Sequence, residues 1–201
     1  MRVAHIKSSF LFWFFWVLIG ILSSSLVPIF FLMLSITPSA ISEAIIPISG
    51  AVGSIWHWVL LRRYLPEMTA WVRVSILGWV AGYIVCVIAA YYLGPMIAFP
   101  LSPTWLPYLS LWKTVVFGGL LGTVVGLYQW HLLRHHISCA GWWIAASSAG
   151  WALALLNIFI NTEKAISNYI QADLIVANGY IYSAITGFAM LLLLRISRRR
   201  K

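Results

Sequence analysis

The residues of this chain best suited to chemistry are a histidine and a glutamine, each standing one place before a tryptophan. His57 lies in "SIWHWVLLRRY" (54–64) and Gln129 in "GLYQWHLLRHH" (126–136). Both sit within apolar runs, where a polar side chain turns to the interior of a helix bundle and finds a partner. They could line a polar pathway, or His57 could ligate the metal of a tetrapyrrole. The plainer alternative, a hydrogen bond across helices or a reach to the interface, is favoured, because only one of three equivalent positions is His.

Arg62, Arg134 and Arg195 close three such runs. A guanidinium fork matches phosphate and carboxylate, which makes the three a candidate anion or lipid-headgroup site. Arginines at that boundary also fix orientation by reaching to headgroups, so the plainer reading stands beside it. His131, His135 and His136 cluster near Arg134, with only Cys139 at a usable spacing; no metal site is expected from so poor a ligand set. Cys86 and Cys139 are expected to be packing residues and not a disulfide. No acid lies well inside an apolar run, Glu43 standing at an edge, and no phosphate-binding glycine loop, His-Glu-x-x-His or Gly-x-Ser-x-Gly occurs. The chain is therefore expected not to be an enzyme, and the sequence leaves any cofactor undetermined.

Elements of one kind must position these residues. The 201 residues are 62% hydrophobic and 8% charged, with mean hydropathy +0.93. A soluble domain carries about 25% charged residues, so lipid must solvate most of this surface. At roughly 20 residues per crossing, the hydropathy pattern predicts six spans in one domain over 1–201: 9–34, 42–61, 72–93, 111–133, 141–160 and 174–194. Pro28 and Pro47 fall inside the first two. "GPMIAFPLSPTWLPYLS" (94–110), with four prolines, predicts a loop or re-entrant segment. "NTEKAISNYIQAD" (161–173) predicts a short interfacial helix.

Charge sets direction. With the amino terminus inside, the inner side holds Arg2, Lys7, Arg62, Arg63, Arg73, Arg134, Arg195, Arg198, Arg199, Arg200 and Lys201. That is eleven of thirteen basic residues against one acid, Glu67. Lys113 and Lys164 lie outside with Glu43, Glu163 and Asp173. This bias places both termini in the cytoplasm. It makes the net charge of +9 a topology signal, with some affinity for anionic headgroups, and not a nucleic-acid surface. The basic, then apolar start resembles a cleaved signal peptide, but the first span belongs to a repeat, which argues against cleavage.

That repeat is a two-helix hairpin written three times, at about 9–66, 67–138 and 139–198. Even-numbered spans align through Gly50 and Ser54, Gly122 and Gly126, Ser183 and Gly187, each pair followed eight residues on by the arginine. Odd-numbered spans align through Trp13 and Gly20, Trp71 and Gly78, Trp143 and Gly150. Residues four or seven apart share a helix face, and in lipid small residues let helices approach closely. The expected fold is all-α integral membrane, with three parallel hairpins around a pseudo-threefold axis along the membrane normal and the three small-residue ladders drawing the even-numbered helices together.

"GTVVGLYQWHLLRHH" followed by "AGWWIAASSAGWALA" resembles a group of uncharacterised bacterial multi-span membrane proteins. These carry repeated Gly-x-x-x-Gly-x-x-Gln-Trp-x-x-Leu-Arg and Gly-Trp-Trp-x-x-Ala-Ser-x-x-Gly-Trp segments. The match covers 122–151 well, 50–82 loosely and the ends poorly; His57 stands where the pattern has Gln. The resemblance implies a bacterial inner or internal membrane and transfers no activity. Three functions stay open: an accessory or structural subunit packed against a larger membrane complex, which the absence of chemistry favours; a small-solute or anion transporter whose path would include Asn157, Asn161, Asn178 and Thr186; and a pigment- or haem-binding subunit.

Overall fold

The computed structural model describes residues 9–33, 38–65, 68–98, 106–162 and 168–199. Among these every element is a helix: α1 (Ser9–Met33), α2 (Pro38–Leu61), α3 (Trp71–Ala98), α4 (Leu106–Leu133), α5 (Trp142–Thr162) and α6 (Asn168–Arg199), with a 3₁₀ turn at Met68–Ala70 before α3. Arg2, Lys7, Glu67, Glu163, Lys164, Arg200 and Lys201 lie outside the described residues. The same holds for the side chains of Glu43, Asn161, Asp173, Arg198 and Arg199.

Four of the helices contain segments long and apolar enough to cross a membrane: Phe10–Val27, Met68–Tyr92, Leu111–Leu133 and Asn178–Ser197. Their large exposed side chains require lipid. Phe10, Phe30, Trp112 and Tyr91 are each 59–73% exposed, far more aromatic surface than water would tolerate. Helices α2 and α5, at 24 and 21 residues, give about 36 and 32 Å of rise, enough to cross.

Two connections differ from the sequence reading. The proline-rich stretch is largely helix, because α3 runs through Pro95 to Ala98 and α4 begins at Leu106 with Pro107 in its first turn. Proline is tolerated there, since a first-turn N–H has no intrahelical acceptor to lose; Pro100 and Pro103 lie outside the described residues. The expected interfacial helix at 161–173 is also not separate. α5 continues to Thr162, and 168–173 form the start of α6. α1 and α2 are continuous through Pro28 and Pro47.

Each helix packs on its chain neighbours, and α6 packs on α1, so the six close into a ring. The small residues set how closely the members approach. A Cβ on Gly122 would lie 2.7 Å from the Ser147 carbonyl carbon and 2.8 Å from Ser148 Cα, and one on Gly118 would lie 2.9 Å from Ala152 Cα; α4 and α5 touch backbone to backbone. Gly126 faces Ile144 and Ser147 of α5, Gly50 faces the Trp79 ring of α3, Ser183 meets Gly20 of α1, and Gly187 meets Trp16 of α1. Ser54 bonds back to the Gly50 carbonyl at 2.7 Å. Gly78 packs on Val125 and Tyr128 of α4, and Gly150 on Tyr182 of α6. The ladders of α2, α4 and α6 thus each face the following odd-numbered helix, and not one another as the sequence reading had it.

Large rings fill the interior. Trp16, Trp71 and Trp143, on α1, α3 and α5, are each 1% exposed. Trp143 meets Trp16 edge-on at 6.0 Å and Trp71 at 6.1 Å between centroids. Helices α1, α3 and α5 are not neighbours in the ring, so rings that meet between them meet inside it. The same applies to Trp79 and Trp151, edge-to-face at 5.1 Å. One apolar cluster joins Phe12, Leu61, Trp71, Leu133, Trp143 and Leu194. It brings the start of α1, α3 and α5 and the finish of α2, α4 and α6 to one end. The exposed Arg62, Arg63, Arg73, Arg134 and Arg195 flank those helix ends, which makes it the basic end of the bundle.

Candidate polar site in the tryptophan core

His57 and Gln129 are both buried at corresponding points of α2 and α4, reached because the helix period turns the residue before each tryptophan inward. Gln129 uses both ends of its amide. Nε2 donates to Ser75 Oγ at 3.0 Å, and Oε1 accepts from Trp143 Nε1 at 2.8 Å. One side chain so links α4 to α3 and α5. His57 behaves differently. Its ring stacks on Trp16 at 4.1 Å between centroids, tilted 18°, with Nε2 3.3 Å from the Trp16 carbonyl oxygen. Trp16 in turn donates Nε1–H to Thr186 Oγ1 at 3.2 Å, and that hydroxyl donates to the Tyr182 carbonyl at 2.8 Å. Met190 holds the third repeat position and is fully buried.

The indoles that the repeat equates have three fates. Trp143 N–H finds Gln129, Trp13 N–H finds the Ala184 carbonyl at 3.0 Å, and Trp71 N–H is buried without a partner. The Trp58 N–H and the Ser49 hydroxyl are likewise buried and unpaired.

At the basic end the turns after α2 and α4 repeat bond for bond. Arg62 N–H reaches the Trp58 carbonyl and Arg134 N–H the Trp130 carbonyl, both at 2.9 Å; Leu65 to Leu61 and Ile137 to Leu133 are both 2.8 Å. Leu61, Leu133 and Leu194, which the even-span alignment equates, are all 0% exposed. Arg62 lies over the Trp58 ring at 5.1 Å and Arg134 over the Trp130 ring at 5.2 Å. Arg195 has Leu191 in that place, so the three arginines are not alike. His131 and His135 meet edge-on at 6.0 Å, and the described residues hold no group of three metal-ligating side chains. Both cysteines are free. Cys86 Sγ packs toward the Phe117 carbonyl at 3.6 Å, whereas Cys139 is exposed in a turn at φ 60° and does not pack as expected. Of the residues named for a transport path, Asn157 and Asn178 bond to each other at 3.4 Å, and Thr186 is spent on Trp16.

The sequence reading missed Trp16, Ser75 and the Trp79–Trp151–Tyr182 group. Trp79 and Trp151 were legible as Gly-Trp pairs at the repeat offset; Trp16, three residues past Trp13, had no counterpart in the other copies to mark it. Comparison with protein families, curated proteins and solved structures returns no match.

Proposed function

We propose that this chain is a non-enzymatic, six-span membrane subunit built from three hairpin repeats, whose role is to pack against a larger membrane assembly. One observation carries the reading. The polar side chains that the repeat sets one place before each tryptophan, and the indole they meet, are spent on neighbours: Gln129 on Ser75 and Trp143, His57 on Trp16, and Trp16 on Thr186. They lie among tryptophans that fill the ring's interior. A conduit or catalytic pocket needs polar groups facing space. These face neighbours, as in a scaffold whose chemistry is cohesion. The corresponding turns, the matched buried leucines and the two Arg–Trp pairs support the repeat. Haem ligation is disfavoured by the burial of His57 and by the engagement of its Nε2 with the Trp16 carbonyl.

The test is gentle solubilisation of the tagged chain from its native membrane, followed by native electrophoresis and absorbance. Stoichiometric co-migration with larger membrane subunits is the expected result. A solitary chain bearing a Soret or carotenoid band would replace this reading with the pigment one. A solitary colourless chain that passes anions in proteoliposomes, with flux reduced by Arg62→Gln or Arg134→Gln, would replace it with the transporter.

A further inference from the structure

The two Arg–Trp pairs at the basic end hold donors that no contact given among the described residues uses. A guanidinium held over an indole by cation–π attraction still has N–H groups beyond the ring, and a guanidinium edge can grip a phosphate with two parallel bonds. Arg62 and Arg134 each hold Cζ over an indole, at 5.1 and 5.2 Å from the ring centroid. Each is exposed and each has a second basic side chain beside it, Arg63 and His135 respectively. Arg134 commits Nε to His135 at 3.4 Å, which leaves its terminal nitrogens. Among the described residues neither arginine has an acidic partner, and Glu67, the one acid of this end by sequence, cannot neutralise five exposed arginines. Trp58 and Trp130 are partly buried and pack against the buried apolar cluster, so the Arg–Trp pairs stand where apolar core gives way to charge, the level at which headgroups lie.

We propose that Trp58–Arg62 and Trp130–Arg134 are two separate binding sites for the phosphate of anionic phospholipids. They are separate because α3 lies between α2 and α4 in the ring. With helix axes about 8–10 Å apart, alternate members of a six-helix ring stand about 14–17 Å apart, too far for one phosphate to span. The sequence had grouped three arginines; Arg195 lacks the indole and is not included.

The test is native mass spectrometry of the full chain in mild detergent, titrated with phosphatidylglycerol or phosphatidylcholine. Two phosphatidylglycerol molecules should be retained in preference to phosphatidylcholine. Arg62→Gln and Arg134→Gln should each remove one and weaken that site about tenfold, and the double variant should retain neither. Arg73→Gln, which alters an exposed arginine of the same end without a paired indole, should bind as the parent does. Equal loss in Arg73→Gln, or equal retention of the two lipids, would overturn the proposal in favour of undirected charge. Inorganic phosphate occupying the sites at millimolar concentration with the same arginine dependence would overturn the lipid assignment in favour of a free anion. Because both side chains are exposed, the variants should elute and melt as the parent does.

Discussion

Gln129 finds a hydroxyl on one side and an indole on the other because its own hairpin carries Ser75 and the next carries Trp143. Under the repeat alignment Val17 in the hairpin of His57 corresponds to Ser75 in that of Gln129, and Trp71 in the hairpin after His57 corresponds to Trp143 in the hairpin after Gln129. A glutamine at position 57 would therefore find an indole donor, the N–H of Trp71 now left unpaired, but nothing to receive its own amide hydrogens. His57 avoids that cost by stacking on Trp16 and using its carbonyl. Exchanging the pair tests this account. His57→Gln alone should cost about 1–2 kcal/mol through the stranded amide and the lost stack. Adding Val17→Ser should recover about 1 kcal/mol beyond additivity. Reversible unfolding in mixed micelles measures the cycle, and strict additivity would show that the two copies do not share this geometry. The positions of His57 and Gln129 could be read from the sequence because both precede a tryptophan in a repeated phrase. Their partners could not, since hydrogen-bond partners 41 and 54 residues away are chosen by the ring and not by local spacing.

At the scale of the helix, the small residues mark where backbones meet, but not every glycine does so. Gly122 abuts the backbone of α5, so Gly122→Ala must push two helices apart and should cost about 2–3 kcal/mol. Gly119, one turn away from the tightest line, would place its Cβ 3.5 Å from Ser148 Oγ, an ordinary contact. Gly119→Ala should melt at or slightly above the parent, because alanine favours the helical backbone. Thermal unfolding in detergent separates the two, and equal melting temperatures would mean that α4 and α5 do not approach as closely as described. Spacing alone revealed the ladders, since four-residue steps stack on one face. It could not reveal what each ladder faces, because a small face fits any neighbour, and the ring order decides. The proline-rich connection predicts a loop from sequence because proline breaks helix interiors. Pro107 sits instead in a first turn, where that penalty vanishes, and the expected loop shrinks accordingly.

For the molecule as a whole, the number of crossings fixes which ends share a side, and four crossings and six make opposite statements. Suppose only α1, α3, α4 and α6 cross. Then α3 starts on the side where α1 finishes, α4 returns there, and Arg62, Arg73 and Arg134 lie opposite Arg195. With all six crossing, the four arginines share one side. The apolar cluster that joins Leu61, Trp71, Leu133 and Leu194 gathers the corresponding helix ends together and favours six. Positive charge makes the same demand, since a four-span arrangement would divide the arginines between the two faces, against the bias that orients membrane helices. The measurement is labelling of single cysteines placed at 62, 134 and 195 in a Cys86→Ala, Cys139→Ala background, using a membrane-impermeant maleimide on intact cells and on inverted vesicles. All three should react in inverted vesicles and none in intact cells, while a cysteine at Lys113, near the opposite end of α4, should be silent in inverted vesicles. Reaction of 62 and 134 from the face opposite to 195 would reduce α2 and α5 to helices that enter without crossing. The three-hairpin architecture would fall with them, because a hairpin repeat that crosses once cannot return its successor to the same orientation.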